Sequence, residues 1–249
     1  MDRPIALVVA LAQERRPLLR LLAAAQQGRA DEFRLIVGEL AGQTAVLIQA
    51  GIGRDRARRA LLAAAHRFPV RAAWSLGFSG GLAETLCPGD LVCPAVVLQD
   101  DGRTGQSIGV APAQAAVRAA LAAAGIRTHD GPLLTVDVPL RTPEVKRAAH
   151  RRTGAVAVDM EAAGVAEAAC ELGIPWLAIK AVVDAAGEAL PEFLAGCTTA
   201  QGELRWRGLL SNLASARRRR TLWRLRRASR QAAQGLQRAV DVAFAAWSP

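Results

Sequence analysis

The chain has 249 residues, of which 51% are hydrophobic, so it is long enough to enclose one sizeable core. Its four cysteines show no Cys-x-x-Cys spacing, and no apolar run is long enough to span a bilayer, so we expect a cytoplasmic protein without a metal ion or other cofactor. The net charge of +10 lies in residues 205–249, which contain 11 arginines and one acid, whereas residues 1–204 contain 21 basic and 21 acidic residues. We therefore expect a neutral domain, 1–204, and a basic tail, 205–249.

Segments typical of strands and helices alternate along the chain. Apolar runs predict strands at 5–11, 33–37, 44–50, 72–76, 90–98, 131–138 and 176–183. Helical spacing predicts helices at 18–25, 55–67, 112–124, 143–152 and 162–171, while 78–81 is expected to be a turn and 101–109 a loop. The alternation predicts an α/β fold, a three-layer sandwich in which helices flank a central mixed β-sheet, followed by C-terminal basic amphipathic helices.

Two carboxylates stand at the ends of neighbouring predicted elements. Glu161 precedes the helix at 162–171, and Asp184 follows the strand at 176–183. Open α/β sheets place ligand-binding residues at such strand ends, so both acids would project into one crevice and suit chemistry on a sugar and its leaving group. The residues alone leave an ordinary alternative open, in which Glu161 caps its helix and Asp184 caps a turn.

Several motifs in a fixed order carry a family resemblance. They are Gly-Ile-Gly at 51–53, Ser-Leu-Gly-Phe-Ser-Gly-Gly-Leu at 75–82, Pro-Gly-Asp-Leu-Val at 88–92, Val-Asp-Met-Glu-Ala-Ala-Gly-Val-Ala at 158–166, Gly-Ile-Pro at 173–175 and Ala-Val-Val-Asp at 181–184. The ordered set resembles the nucleoside phosphorylase and nucleosidase superfamily from about residue 5 to about residue 191. Within it, Asp-Ala-Ala at 184–186, Ala-Leu-Pro at 189–191 and the Arg-rich tail look most like the hopanoid-associated phosphorylases.

The resemblance implies catalytic roles for three acids. Asp184 matches the aspartate that serves the purine N7, which requires burial to raise its pKa. Glu161 matches the glutamate that binds the ribose hydroxyls, where an ionised carboxylate also stabilises an oxocarbenium-like centre. Glu14 lies where hydrolytic relatives carry the glutamate that activates water; an exposed acid at a helix start is the alternative.

The resemblance also implies a binding surface. Met160 matches the residue that packs on the ribose, with a core methionine as the alternative. Phe78, Ser79 and Gly80 lie in the glycine-rich block, and Val138 begins the Val-Pro-Leu segment where nucleosidases often stack an aromatic side chain on the base. The pocket is therefore expected to be apolar, with Phe78 filling part of it.

A phosphate site is expected where Gly51 and Gly53 open a helix and Arg54 follows, because helix N-termini and guanidinium groups bind anions. Hexameric phosphorylases instead carry Arg-x-Gly-Ser in a block where this chain has Ser-Leu-Gly-Phe at 75–78, without the arginine or the final serine. This departure puts phosphate binding of the standard kind in doubt.

The tail, 209–247, has helical character and an apolar stripe. The stripe comprises Leu222, Leu225, Ala232, Leu236, Val240, Ala243 and Trp247, and arginines lie largely opposite it. A basic amphipathic helix with tryptophans is typical of a membrane surface, so we expect peripheral attachment at the inner membrane. The alternative is a stripe that packs on the domain. No nucleic-acid reading motif accompanies the arginines, so no nucleic acid is expected as a partner.

Three functions follow from these observations. The leading expectation is an enzyme that releases adenine from an adenosyl-lipid of the adenosylhopane type by phosphorolysis, with inorganic phosphate as co-substrate and a phosphoribosyl-lipid as product. The alternative is a hydrolytic nucleosidase acting on methylthioadenosine, S-adenosylhomocysteine or a related purine nucleoside. A catalytically silent nucleoside-binding module is the third, against which the presence of both Glu161 and Asp184 argues. A homo-oligomer, with a dimer favoured, is expected.

Overall fold

The computed structural model describes residues 3–110, 114–190 and 216–247. Its strands are β1 (Ile5–Val9), β2 (Ala23–Ala30), β3 (Phe33–Leu40), β4 (Gln43–Gln49), β5 (Ala72–Gly81), β6 (Leu91–Val92), β7 (Val96–Gln99), β8 (Gln106–Val110), β9 (Thr128–His129), β10 (Leu133–Thr135), β11 (Ala157–Asp159) and β12 (Trp176–Asp184). Its helices are α1 (Ala12–Leu19), α2 (Arg54–Arg67), α3 (Gln114–Ala123), α4 (Pro143–Thr153), α5 (Ala162–Glu171) and α6 (Ala216–Ala245).

The strands form one mixed sheet in which β5 is the central strand. β1 pairs parallel with β4 and with β5, and β12 pairs parallel with β5 along its other edge. β11 pairs antiparallel with the last two residues of β5. The carboxyl ends of β1, β4, β5 and β12 therefore open on the same side of the sheet, the side on which α/β folds bind ligands.

Helices flank the sheet, as the alternation of elements predicts. α2 packs against α5, while α1 and α3 pack against α6. The core is mostly apolar, and β1, most of β4 and nearly all of β12 are buried, as expected for strands covered on both faces. The predicted fold class, an α/β sandwich with a central mixed sheet and a C-terminal helix, is confirmed.

Some predicted helices, loops and turns are wrong, because pairing between strands decides the conformation of these segments. The helix predicted at 18–25 is wrong, since α1 ends at Leu19 and the alanine-rich segment after it becomes the edge strand β2, paired with β3. The loop predicted at 101–109 contains β8, which pairs antiparallel with β7. The turn predicted at 78–81 is the end of β5, and the strand predicted at 90–98 is interrupted between β6 and β7, where Pro94 stands.

The C-terminal helix α6 packs on the domain. Leu236, Val240 and Phe244 are fully buried, and the Trp74 ring lies 5.3 Å from the ring of Phe244 and 5.4 Å from that of Trp247. Over the C-terminal half of α6, the apolar stripe predicted from the sequence is therefore part of the core. This agrees with the alternative that the stripe packs on the domain. Residues 205–215, 248 and 249 of the predicted tail lie outside the described residues. None of the helices in the described ranges is long and apolar enough to cross a membrane.

Candidate active site

A cavity of about 260 Å³ opens at the carboxyl ends of the parallel strands. Its walls are mostly apolar, with Leu11, Ile52, Val136, Leu140 and Val183 among the lining side chains. Its polar lining consists of Glu14, Ser79, Lys146, Asp159, Glu161 and Asp184. An apolar cavity with a few convergent polar groups is the usual form of a small-molecule site.

Asp184 reaches the cavity from the end of β12. A shift in the register between Val182 and Asp184 places Asp184 opposite Gly80 of β5, and such irregularities re-aim side chains beside active sites. A Cβ atom at Gly80 would lie 3.4 Å from each carboxylate oxygen of Asp184, so the glycine leaves room for this carboxylate. Asp184 is 3% exposed, and burial raises the pKa of its carboxyl group.

The buried Lys146 of α4 forms an ion pair with Asp184. Lys146 Nζ also donates hydrogen bonds to the carbonyl oxygens of Ala185, at 2.8 Å, and Glu188, at 3.0 Å. The nearby ammonium lowers the pKa of Asp184 and thereby opposes the effect of burial. Asp184 therefore has a charged partner, which argues against a role in capping a turn.

Glu161 occupies the N-cap position of α5 without capping it. Its Oε1 accepts a hydrogen bond from the backbone N–H of Gly53 at 3.0 Å. Asp159 caps the helix instead, because its Oδ2 accepts from the backbone N–H of Ala162 at 2.9 Å. The capping alternative therefore fails for Glu161, whose side chain is directed into the cavity.

Lys180 lies in the middle of β12 and is 1% exposed. Its ammonium lies 2.9 Å from Asp159 Oδ2 and interacts electrostatically with Glu161 and Glu14. These acids raise the pKa of Lys180 against the effect of its burial. A buried ammonium requires such partners, and Lys180 interacts with three acids that line the cavity.

Glu14 of α1 is 3% exposed and lines the cavity. Its Oε1 accepts from the backbone N–H of Phe78 at 2.7 Å, and its Oε2 accepts from those of Ala10 at 2.9 Å and Leu11 at 2.8 Å. Burial raises the pKa of Glu14, while these donors and Lys180 oppose the rise. Glu14 is therefore a fixed part of the site and not an exposed acid at a helix start.

Burial raises the pKa of Glu161 to about 8, with further contributions from the nearby Asp159 and Glu14. The Lys180 ammonium and the Gly53 N–H act in the opposite direction. The carboxyl group of Glu161 therefore keeps its proton to a higher pH than an ordinary glutamate does, because three acids share the single ammonium of Lys180.

The residues expected to bind the substrate are mostly brought together. Met160, Phe78, Ser79 and Gly80 line the cavity, and Ser79 Oγ is buried with no hydrogen-bond partner among the residues that the structure describes. Val138 is 69% exposed and does not line the cavity. The two residues after it, Pro139 and Leu140, occupy that wall.

The residues expected to bind phosphate do not face the cavity. Ile52 lines it, whereas Gly51, Gly53 and Arg54 do not. The Gly53 N–H is bonded to Glu161, and the Arg54 guanidinium lies 3.5 Å from Glu167 and 3.4 Å from Asp55. In the described part of the chain, no arginine lines the cavity.

Sequence reasoning missed Lys146, Lys180 and Asp159. Lys180 had a clear signal, since a lysine inside the run Trp-Leu-Ala-Ile-Lys-Ala-Val-Val needs a buried partner. Asp159 had a weaker one, as a helix-capping residue three positions before Ala162. Lys146 had none, because it stands beside Arg147 on a helix rich in basic residues.

With this geometry established, comparison with known proteins decides the family. The family model of the phosphorylase superfamily matches residues 4–205. The chain belongs to the phosphorylase superfamily. It is an enzyme of the nucleoside phosphorylase and nucleosidase kind, as the ordered motifs predicted.

The similar curated proteins are nucleosidases. The 5'-methylthioadenosine/S-adenosylhomocysteine nucleosidase of Mycobacterium tuberculosis is 26% identical over 219 residues, which cover 74% of this chain and 86% of that protein. The enzyme of the same name from Pseudoalteromonas translucida is 30% identical over 176 residues, covering 64% of this chain and 75% of that protein.

Solved structures show the same fold. The 5'-methylthioadenosine/S-adenosylhomocysteine nucleosidase of Neisseria meningitidis, in complex with methylthio-immucillin-A, superimposes with a TM-score of 0.77 at 22% identity, covering 98% of this chain and 100% of that one. The futalosine hydrolase of Helicobacter pylori superimposes with a TM-score of 0.75 at 18% identity, covering 97% and 98%.

Proposed function

We propose that this enzyme hydrolyses the N-glycosidic bond of a purine nucleoside. The observation that carries the proposal is the convergence of three acids on one apolar cavity of about 260 Å³: the buried Glu14 and Asp184 and the partly buried Glu161. Cleavage of this bond requires an acid at the leaving base, contacts to the ribose as it becomes cationic, and a base that activates the nucleophile. The three acids supply one group for each requirement.

Each acid has a separate position for its role. Asp184 stands beside Gly80 and Val183, where it would face the purine ring and serve N7. Glu161 precedes α5 and follows Met160, so that its carboxyl group would bind the ribose hydroxyls. Glu14, held by backbone donors and with a raised pKa, would accept the proton of the attacking water.

Water is the proposed nucleophile. A phosphate dianion would need cations or free N–H groups in the cavity, but the Gly53 N–H and the Arg54 guanidinium are bonded to acids of the chain itself. The hydrolytic alternative, not phosphorolysis, is also the one that the names of the similar enzymes favour. We propose a purine nucleoside that carries a 5′ substituent, as in methylthioadenosine or S-adenosylhomocysteine, and a homo-oligomer, with a dimer favoured.

The test is an assay with methylthioadenosine, S-adenosylhomocysteine and adenosine in phosphate-free buffer and in buffer with phosphate. We expect release of free purine and a reducing sugar at the same rate in both buffers. A sugar 1-phosphate, formed at a rate that saturates with phosphate, would move the enzyme to the phosphorylases. Absence of purine release from every nucleoside would contradict the proposal.

A second candidate substrate is an adenosyl-lipid of the adenosylhopane type, met at the surface of the inner membrane. The N-terminal half of α6 favours it: Trp223 is 72% exposed, and Arg219, Arg220, Arg226, Arg227 and Arg230 are exposed around it. Exposed tryptophan beside arginines is typical of segments that bind an anionic lipid surface.

Sedimentation with anionic and zwitterionic vesicles tests this candidate. We expect the full-length protein to bind anionic vesicles at low salt, and Arg226→Glu/Arg227→Glu to release it. Arg127→Glu/Arg151→Glu is the matched control, because it makes the same change of charge at exposed sites outside α6. Equal loss of binding in both double variants would contradict a surface specific to α6.

A further inference from the structure

Lys146 makes three hydrogen bonds in a fully buried position. Its Nζ donates to Asp184 Oδ2 and to the carbonyl oxygens of Ala185 and Glu188. An ammonium group has three N–H donors, so these acceptors use all of them. Lys146 therefore acts on a ligand only through Asp184.

The ion pair engages one of the two carboxylate oxygens of Asp184. Lys146 Nζ donates a hydrogen bond to Oδ2 of Asp184, whereas Oδ1 has no hydrogen-bond partner in the described parts of the chain. The contact is an ion pair between the Lys146 ammonium and the Asp184 carboxylate. An ionised carboxylate cannot donate to a leaving purine, so the required proton must reach Asp184 from elsewhere.

We propose that Lys146 is the source of this proton, a positioning residue that orients Asp184 and supplies through it the proton taken up by the leaving purine. The inference rests on the proposed function, since it concerns the same reaction. It assigns a role to a lysine that no sequence motif marked.

The step balances as follows. Lys146 Nζ first gives a proton to the carboxylate of Asp184, which leaves a neutral amine and a carboxylic acid. The C1′–N9 bond then breaks and its electron pair moves into the purine ring, whose N7 takes that proton from the Asp184 carboxyl group, while water attacks C1′ and gives its proton to Glu14. After the products leave, Glu14 releases its proton to solvent and Lys146 regains one.

The surroundings support transfer along this pair. Burial raises the pKa of Asp184 and the nearby carboxylate of Glu188 raises it further, so this carboxyl group accepts a proton more readily than an ordinary one. Glu188 is itself held by Arg224 of α6, whose guanidinium lies 3.2 Å away. Among the described residues, the cavity has three other charged groups, and they interact with Lys180: Glu14, Glu161 and Asp159.

Two substitutions and two substrates test the inference. Lys146→Arg keeps the positive charge but offers a group that does not deprotonate in proteins, whereas Lys146→Met removes the charge. The substrates are the nucleoside that the wild-type enzyme cleaves best and 4-nitrophenyl riboside, whose leaving group departs without a proton. Rates are measured from pH 5 to pH 10, and thermal unfolding confirms that each variant is folded.

We expect Lys146→Arg to lose about 10²–10⁴-fold in kcat on the nucleoside at every pH, the usual range for general acid catalysis, and to lose much less on 4-nitrophenyl riboside. In Lys146→Met, burial without the ammonium leaves Asp184 protonated at low pH. This variant should be active there and lose activity at a lower pH than the wild type.

Three results would overturn the inference. They are a Lys146→Arg variant with wild-type kcat on the nucleoside, a Lys146→Met variant with the wild-type pH profile, and equal losses on both substrates in both variants, which would indicate a purely structural lysine. A wild-type protein that releases no purine from any nucleoside would contradict the proposed function, and this inference with it.

Discussion

The backbone N–H of Gly53 donates to Glu161 Oε1 at 3.0 Å, so the Gly-Ile-Gly turn binds an acid of its own chain. Glycines before a helix N-terminus favour an anion, and the sequence pattern was interpreted as a phosphate site for that reason. In the folded chain the acid at this turn is the carboxyl group of Glu161, delivered by the β11–α5 connection. The turn therefore orients a carboxyl group that lines the cavity.

This arrangement predicts that Arg54→Ala has little effect on catalysis. The Arg54 guanidinium is partly exposed and lies 3.5 Å from Glu167, outside the cavity. Loss of such a pair typically costs up to about 1 kcal/mol of stability, and we expect unchanged kcat and KM for the nucleoside at all phosphate concentrations. Steady-state kinetics with and without phosphate measure this. An increased requirement for phosphate in the variant would instead place Arg54 at a phosphate site.

Gly77→Ala should impair catalysis through Glu14. Gly77 has a φ of +150°, and a Cβ atom there would lie 2.7 Å from Glu14 Oε1. Because Glu14 is fixed by three backbone donors, the methyl group must displace the carboxylate, and we expect kcat to fall by about 10²-fold or more. Gly235→Ala in α6 is the control, since a Cβ atom there would meet only ordinary contacts, with Gly89 O at 3.7 Å and Leu91 Cδ2 at 3.8 Å. Equal activity in the two variants would show that the position of Glu14 does not matter.

The sequence could predict those parts of the site that depend on strand ends. Asp184, Glu161 and Met160 follow or precede elements with clear periodicity, and the ordered motifs place them in one family. The alanine-rich segment 23–25 could not be recognised as a strand, because its pairing with β3 and not its own propensity decides its conformation. Lys146 could not be found, because only the folded chain brings α4 to the end of β12.

Glu161→Gln should change how stability depends on pH. The pKa of Glu161 is raised from 4.5 to about 8 in the folded protein. Between these values the folded state holds a proton that the unfolded state has lost, so this stabilising contribution is complete below pH 4.5 and disappears as the pH rises through 8. The glutamine does not titrate. The other carboxyl groups with raised pKa values are present in both proteins, so their contributions cancel when the two stabilities are compared.

Urea unfolding of the wild-type protein and Glu161→Gln at pH 5 and pH 8.5 measures this effect. We expect the wild type to lose stability relative to the variant over this interval, by at most about 5 kcal/mol. A difference in stability that is the same at both pH values would show that Glu161 is ionised in the folded protein throughout.

Asp184→Asn should damage both catalysis and folding. The amide cannot supply a proton, so kcat should fall by about 10²–10⁴-fold. It also leaves the buried Lys146 ammonium without its counter-ion, and breaking a buried pair in this way costs about 3–5 kcal/mol. The sequence alone gave no reason to expect this second cost.

The double variant Asp184→Asn/Lys146→Met separates the two effects. Removing the unpaired ammonium should restore much of the stability lost in Asp184→Asn, while activity stays low. Denaturant unfolding of both single variants and the double variant completes the cycle. A stable Asp184→Asn single variant would show that the ion pair contributes little to the fold.

The final prediction concerns α6, whose two halves should respond differently to substitution. Phe244 is fully buried against Trp74, with ring centroids 5.3 Å apart, whereas Trp223 is 72% exposed. Phe244→Ala should therefore cost about 3–5 kcal/mol of stability, because it leaves a cavity under the sheet. Trp223→Ala should stay within about 0.5 kcal/mol of the wild type, since it removes no buried contact. Thermal and urea unfolding measure both variants, and equal, small effects would mean that α6 folds independently of the domain.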